Sequence, residues 1–252
     1  MFDVEKLTAG LNATLFGQEE AIKRLLSLAR RANERGYGIQ LPAAFIWGDV
    51  GTGKSHAVDY LKRTFFDPHR VFQAPSSPET APPDRCPSPA LLVMEDLRLT
   101  PHNFSSLSMN RALQNWSTEP YNIFILVVTV PWQGSINFTS PRPNNPPLPL
   151  IKRHLLDKME KSTYHALESL LTSHHTIWVP FLPLNREHLM QCIRAKAEER
   201  GVALSPAEVR WILNETEFVR PSLPLFSRDG CARVAERVRA VMAERKHFLG
   251  IA

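Results

Sequence analysis

Apolar residues fall at Ile22, Leu25, Leu26 and Ala29, the spacing of one face of a helix, while Lys23, Arg24 and Arg30 fall on the other. The pattern predicts a first helix that begins after Phe16-Gly17. The run Ala43-Ala44-Phe45-Ile46-Trp47 is apolar throughout, as in a strand buried on both faces, and His56 to Thr64 reads as a helix behind it. Three more such runs, Leu91 to Met94, Ile123 to Val128 and Thr176 to Phe181, are separated by helical stretches. Continuous apolar strands alternating with helices predict an α/β fold with a parallel sheet covered on both sides.

After Leu184 only helical patterns remain. Arg186 to Arg200 is amphipathic and stops at Gly201, and Ser205-Pro206-Ala207-Glu208 supplies a capping serine, a proline in the first turn and a glutamate three residues after the cap. A last helix from about Cys231 to Lys246 turns Val234, Val238 and Val241 inward. The expected organisation is an α/β domain over residues 1–184 and a small all-helical domain over 185–252. Two proline-rich stretches, Ala74 to Pro89 and Ser140 to Pro149, lack apolar periodicity and read as loops of the first domain.

Between the first predicted strand and its helix stands Gly48-Asp49-Val50-Gly51-Thr52-Gly53-Lys54-Ser55, a complete G-x-x-x-x-G-K-[ST] phosphate-binding loop in the strand-loop-helix setting it requires. Glycines let successive N–H groups converge on phosphate oxygens, and the following helix adds the positive end of its dipole. Gly48, Val50, Gly51, Thr52, Gly53, Lys54, Ser55 and His56 are the candidate nucleotide contacts. Lys54 would reach the β- and γ-phosphates and the Ser55 hydroxyl would ligate Mg²⁺, so ATP and Mg²⁺ are the expected cofactors.

A site of this kind needs acids at the end of a neighbouring buried strand. Glu95 and Asp96, directly after Leu91-Leu92-Val93-Met94, stand where the metal-holding and water-activating groups belong, Glu95 as the second candidate metal ligand. Additional-strand P-loop hydrolases usually carry Asp then Glu, so the two are transposed. Misplacing a reacting group by about 1 Å costs on the order of a hundredfold in rate. The alternative, an ordinary strand end with two solvated acids, stays open.

Composition narrows the picture only a little. Apolar content of 43% and charged content of 22% are those of a folded protein. The net charge of +5 invites a nucleic-acid reading, yet Lys and Arg alternate with Glu, as in Ala235-Glu236-Arg237-Val238-Arg239, so solvated helix faces account for it and nucleic acid is not an expected partner. Three cysteines without a C-x-x-C pair argue against zinc. No apolar stretch is long enough to span a membrane, and the start Met1-Phe2-Asp3-Val4 lacks the pattern of a secretory signal. Against that, N-x-[ST] sequons at Asn12, Asn103, Asn115, Asn137 and Asn214 hint at a secretory compartment.

Several further stretches resemble torsin-like AAA+ ATPases, relatives of the ClpB/HSP100 group. Val179-Pro180-Phe181-Leu182-Pro183-Leu184 with His188-Leu189 and Cys192-Ile193-Arg194 is similar to the passage into the torsin small domain. Phe226-Ser227 followed by Gly230-Cys231 resembles the second sensor motif, and Leu15-Phe16-Gly17-Gln18 the opening box beside the adenine. The resemblance implies a five-stranded parallel sheet followed by a helical lid, with nucleotide between them and Phe16 and Gly17 among its contacts. It implies that Cys192 and Cys231 form a redox-sensitive disulfide, two buried thiols being the alternative; Cys86 reads as a free loop thiol.

The chain departs from that pattern at informative places. The substrate-facing segment before the acidic strand is replaced by the proline-rich run, which puts a central-pore function in doubt. Val130 stands at the polar first-sensor position, leaving Thr129 as the candidate substitute. Ala232 replaces the lysine that meets the γ-phosphate, with Arg233 one residue, or about 100° of helix, further on. Arg142 and Arg153 are poor candidates for an arginine finger. Torsins obtain that group from a membrane-anchored activator, and an arginine supplied in this way is worth about 10³–10⁵ in rate. The resemblance thus implies an ATP-binding, chaperone-like remodeller of the endoplasmic reticulum and nuclear envelope, weakly active alone, activator-dependent and able to form homo-oligomers. A catalytically inactive nucleotide switch or scaffold is the second reading, and a cytoplasmic DNA-associated AAA+ protein the third.

Overall fold

The computed structural model describes residues 1–34, 43–74, 90–97, 123–129, 176–219 and 226–248. Helix α1 (Val4–Thr14) and helix α2 (Glu19–Asn33) precede strand β1 (Ala43–Gly48) and helix α3 (Lys54–Thr64). Strands β2 (Val71–Ala74), β3 (Leu91–Leu97), β4 (Ile123–Thr129) and β5 (Thr176–Phe181) follow, then helices α4 (Arg186–Glu198) and α5 (Pro206–Asn214), the short strands β6 (Phe218–Val219) and β7 (Phe226–Ser227), and helix α6 (Val234–Phe248).

β1 to β5 form one sheet in the order β2-β3-β4-β1-β5, with every pairing parallel. β1 lies inside it and all six of its residues are buried, which is why its sequence does not alternate. One face of β1 carries Ala44 and Ile46 into a cluster with Leu7 and Leu11 of α1, Leu25 and Leu28 of α2 and Leu61 of α3. The other face carries Phe45 and Trp47, and the Phe45 ring lies 4.6 Å from that of Trp178. β5 is an edge strand, the kind of position within a sheet where a proline such as Pro180 is tolerated. Arg24 of α2 fastens that edge by donating to the Trp178 carbonyl at 3.1 Å.

A second cluster gathers Leu189, Cys192 and Ile193 of α4, Ile212 and Leu213 of α5, and Val234, Val238 and Val241 of α6. α5 opens with the full reciprocal cap: the Glu208 amide donates to the Ser205 hydroxyl at 3.3 Å and the Ser205 amide to the Glu208 carboxylate at 2.6 Å.

Three expectations are corrected. The chain's first helix is α1, not the one after Phe16-Gly17. Only Leu7 and Leu11 of α1 are buried, and Gly10 admits the Tyr60 ring so closely that a Cβ there would lie 2.2 Å from it. So sparse an apolar face leaves little periodicity to read. The segment beyond Leu184 is not purely helical, because β6 and β7 pair antiparallel. β3 runs on through Glu95 and Asp96 to Leu97, and its register against β4 shifts between Met94 and Leu97. Two residues on β3 there, Glu95 and Asp96, oppose the single Val127 on β4, a bulge that falls on the acidic pair.

Candidate functional site

The phosphate-binding loop leaves the end of β1 and returns as α3. Gly51 (φ 72°) and Gly53 (φ 103°) occupy the left-handed region, where a side chain would be strained. Crowding enforces the same choice, since a Cβ on Gly53 would stand 2.7 Å from Leu15 Cδ2 and one on Gly51 1.8 Å from the Asp229 carbonyl oxygen. Gly53 begins α3 without a side-chain cap, and no acid lies in the helix's first turn, so the positive end of the dipole is left to an external anion.

Lys54 is only 6% exposed, and its Nζ donates to the Gly48 carbonyl at 2.9 Å and the Asp49 carbonyl at 2.6 Å. Thr52, equally buried, donates through Oγ1 to the same Asp49 carbonyl at 2.8 Å, and the Asp49 carboxylate accepts from the Val50 amide at 2.7 Å. Asp49 therefore organises the loop, although the motif treats its position as variable. Ser55 and His56 are exposed in the first turn of α3, with the His56 ring edge-on to Tyr60. Uncapped helix, buried cation and exposed hydroxyl make a donor set that fits a phosphate chain with its Mg²⁺.

Leu15, Phe16, Gly17 and Gln18 link the loop to the second cluster. Leu15 touches the loop at Gly53, and Phe16 packs on the small helical core. Gln18 is 2% exposed and grips the chain beyond β5 twice, donating to the Leu182 carbonyl at 2.8 Å and accepting from the Leu182 amide at 2.9 Å. At Gly17 (φ 65°) a Cβ would stand 2.2 Å from His188 Nδ1, so glycine is required there too. Asn185 caps α4 by accepting from the His188 amide at 2.9 Å. Burial pushes the His188 imidazole pKa down, which keeps the ring neutral, and its buried Nδ1 has no hydrogen-bond partner among the described residues.

The segment before α6 closes on the loop from the other side. The Cys231 amide donates to the Gly51 carbonyl at 3.0 Å, and Gly230 (φ 52°) packs so tightly that a Cβ would lie 2.3 Å from the same oxygen. Cys231 and Cys192 stand with Cα atoms 6.1 Å apart, paired as a disulfide that ties this segment to α4. Ala232 faces Gly51, where a longer side chain would meet backbone. Arg233 turns outward: it is 63% exposed and its Nε lies 3.7 Å from the Asp229 carboxylate.

The structure thus packs the Leu15–Gly17 segment and the Asp229–Cys231 segment against the loop from Gly48 to Ser55, and leaves Arg233 exposed beside them. Glu95, Asp96 and Thr129 lie at the adjoining ends of β3 and β4, with their side chains outside the described part of the structure. Val130, Arg142, Arg153 and Cys86 lie outside the described residues, as do three of the sequons; Asn12 and Asn214 are exposed on helices. Among the described residues no helix is long and apolar enough to cross a membrane. Sequence reasoning met Asp49 and His188 only as members of motifs, without a role of their own, and passed over Asp229. None has a signature of its own, because each acts through a backbone group or a neighbour distant in sequence.

A central parallel sheet ordered β2-β3-β4-β1-β5, a glycine loop between β1 and α3 and a small helical cluster after β5 are the P-loop NTPase fold in its AAA+ form. The fold aligns with Hsp104, solved in a closed state with ATPγS and FITC casein, at a TM-score of 0.62 over 97% of this chain and 46% of that one, with 12% identity. In sequence the chain is 36% identical over 86 residues to a torsin-like protein of Caenorhabditis elegans, a match covering 32% of this chain and 24% of the relative. It therefore spans about a quarter of the curated relative and under half of the structural one. No known family profile matches it. The chain thus has the AAA+ fold, and over that stretch its sequence is similar to a torsin-like protein.

Proposed function

We propose that the chain binds Mg²⁺-ATP in the crevice between an α/β domain (residues 1–184) and a small helical domain (185–252), and acts as a torsin-like, chaperone-like remodeller. The observation that carries the reading is the pair of left-handed glycines opening an uncapped helix beside the buried Lys54. On binding, Lys54 exchanges its two carbonyl partners for phosphate oxygens, and the first-turn amides of α3 complete the cradle. Ser55 and Glu95 would hold Mg²⁺, which when bound spreads the negative charge of the phosphates. Asp96 would orient the attacking water and Thr129 assist it.

The likeness to a torsin-like protein supports placing this activity in the endoplasmic reticulum lumen and nuclear envelope. It also supports a membrane-anchored partner that supplies the missing arginine and raises a weak turnover. Reduction of Cys192–Cys231 by a dithiol, which leaves two thiols here and a disulfide on the reductant, would loosen the Cys231 amide from Gly51 and so couple redox state to nucleotide affinity.

Mg²⁺-ATP at about a hundred times its dissociation constant stabilises a folded protein by about 2.7 kcal/mol, or roughly 5–10 °C for a chain of this size. Lys54→Ala should abolish that shift. No shift in the unaltered chain sinks the proposal. A nucleotide-binding switch without turnover is the second reading, favoured by Arg233 pairing outward with Asp229 while Ala232 faces the loop. Phosphate release in the presence of a torsin activator domain would eliminate it.

A further inference from the structure

α4, α5 and the turn from Gly201 to Leu204 line a groove of about 680 Å³ that shares no residue with the phosphate-binding loop. Its floor is apolar: Met190, Leu204 and Val209 are only partly buried and rest on the small helical core. Its rim is cationic. Arg186 and Arg194 fall at i and i+8 on the same stripe of α4 as Met190, and Arg210 faces them from α5. All three are exposed, and none is paired with a carboxylate among the described residues. Nearby arginines behave differently: Arg200 donates to the Lys196 carbonyl, Arg228 pairs with Glu217, Arg237 with Thr216, and Arg245 with Glu208. Glu198 is the one acid of the lining, so three arginines against one glutamate leave it at +2.

We propose that this groove docks an acidic amphipathic helix of a partner protein, its apolar stripe on Met190, Leu204 and Val209 and its flanking carboxylates on Arg186, Arg194 and Arg210. Helix-in-groove recognition needs an apolar trough with room for three or four turns, and the wall that α4 provides over 13 residues is about 20 Å long. The unpaired guanidiniums set the sign of the partner's flanks and offer bidentate geometry to carboxylates. Nucleotide plays no part in this contact, so it stands or falls separately from the ATP-binding proposal.

The test uses the full chain and a fluorescein-labelled 14-residue helical peptide with Leu at i, i+3, i+7 and i+10 and Glu at the flanking positions. Anisotropy at low salt should give a dissociation constant on the order of 10 μM. Arg194→Glu with Arg210→Glu should weaken binding at least tenfold and transfer preference to the same peptide with Lys in place of Glu. Met190→Lys should weaken it comparably. Circular dichroism and an unchanged melting temperature show that each variant is folded. Four outcomes would each overturn the proposal: no binding up to about 1 mM, equal binding of the Lys peptide by the unaltered chain, no loss in the Arg194→Glu/Arg210→Glu variant, or capture by phosphatidylserine vesicles without affinity for the peptide.

Discussion

Gly230→Ala tests whether the segment before α6 is clamped on the phosphate-binding loop. Gly230 holds φ 52° and Gly201 holds φ 65°, so alanine meets the same left-handed backbone at both, a cost of about 1–2 kcal/mol. Their surroundings differ. A Cβ at Gly201 has nothing within 4 Å, whereas one at Gly230 lies 2.3 Å from the Gly51 carbonyl oxygen, about 1 Å inside van der Waals contact. That oxygen also accepts from the Cys231 amide, and Gly51, which carries it, is itself wedged against Asp229, so neither backbone can give way alone. Overpacking of this kind costs about 1–3 kcal/mol, and losing the Cys231 hydrogen bond about 1 kcal/mol more. Gly201→Ala is therefore expected to destabilise the protein by about 1–2 kcal/mol and Gly230→Ala by about 3–6 kcal/mol. Urea denaturation measures both, and amide exchange at Cys231 should speed up in Gly230→Ala alone. If the two variants cost the same within about 0.5 kcal/mol, the clamp does not exist.

Other outcomes follow from the same packing. The Cys192–Cys231 bridge closes a span of 39 residues, so reducing it should lower stability to urea by up to about 4 kcal/mol, read as the midpoint shift with and without dithiothreitol. Leu11→Ala, which empties a fully buried position of α1 against α2 and α3, should cost about 2–5 kcal/mol in the same assay. Glu208, hydrogen-bonded by Arg245 and by Ser205, has its pKa lowered from 4.5 to about 2. A depressed carboxyl stabilises the fold above its unfolded pKa and loses that contribution as pH falls from about 4.5 through about 2; Glu208→Gln, which keeps the cap but not the charge, should flatten unfolding free energy against pH over that interval. His188 has the same sign at higher pH: held neutral by burial, it lets the unfolded chain gain a proton first, so stability should decline as pH drops below 6.5, and His188→Leu should reduce the decline.

What was legible in the sequence was whatever a local stretch of chain determines for itself. The glycines of the loop announce positive φ, the Ser205-Pro206-Ala207-Glu208 cap closes within four residues, and β5 spans Thr176–Phe181 as its apolar run indicates. What escaped depends on contacts across the chain. α1 is held less by its own pattern than by its surroundings: the Asn33 side chain brackets Phe2, donating to its carbonyl and accepting from its amide, each at 2.8 Å. Nothing near Val4 encodes that. The bulge at Glu95–Asp96 is likewise a property of the β3–β4 register, so the transposed acids could be read from the sequence while the altered backbone beneath them could not.

The proposed nucleotide site combines both kinds of information, and this decides what each part of the functional reading rests on. Its phosphate cradle is local, built by seven residues between Gly48 and Lys54, and would survive a change in the relation of the two clusters. Its closure is not local. It depends on Gln18 gripping Leu182, His188 resting on Gly17 and the Cys231 amide reaching Gly51, three contacts between segments far apart in the chain, the first spanning 164 residues. Two of the three use only backbone on one side and the third meets a glycine, so side-chain substitutions elsewhere in the cradle leave them intact. Binding of phosphate and the coupling of the helical cluster to it are therefore separable: Lys54→Ala should abolish the first without opening the second, and Gly230→Ala should loosen the second while Lys54 still reaches the phosphates.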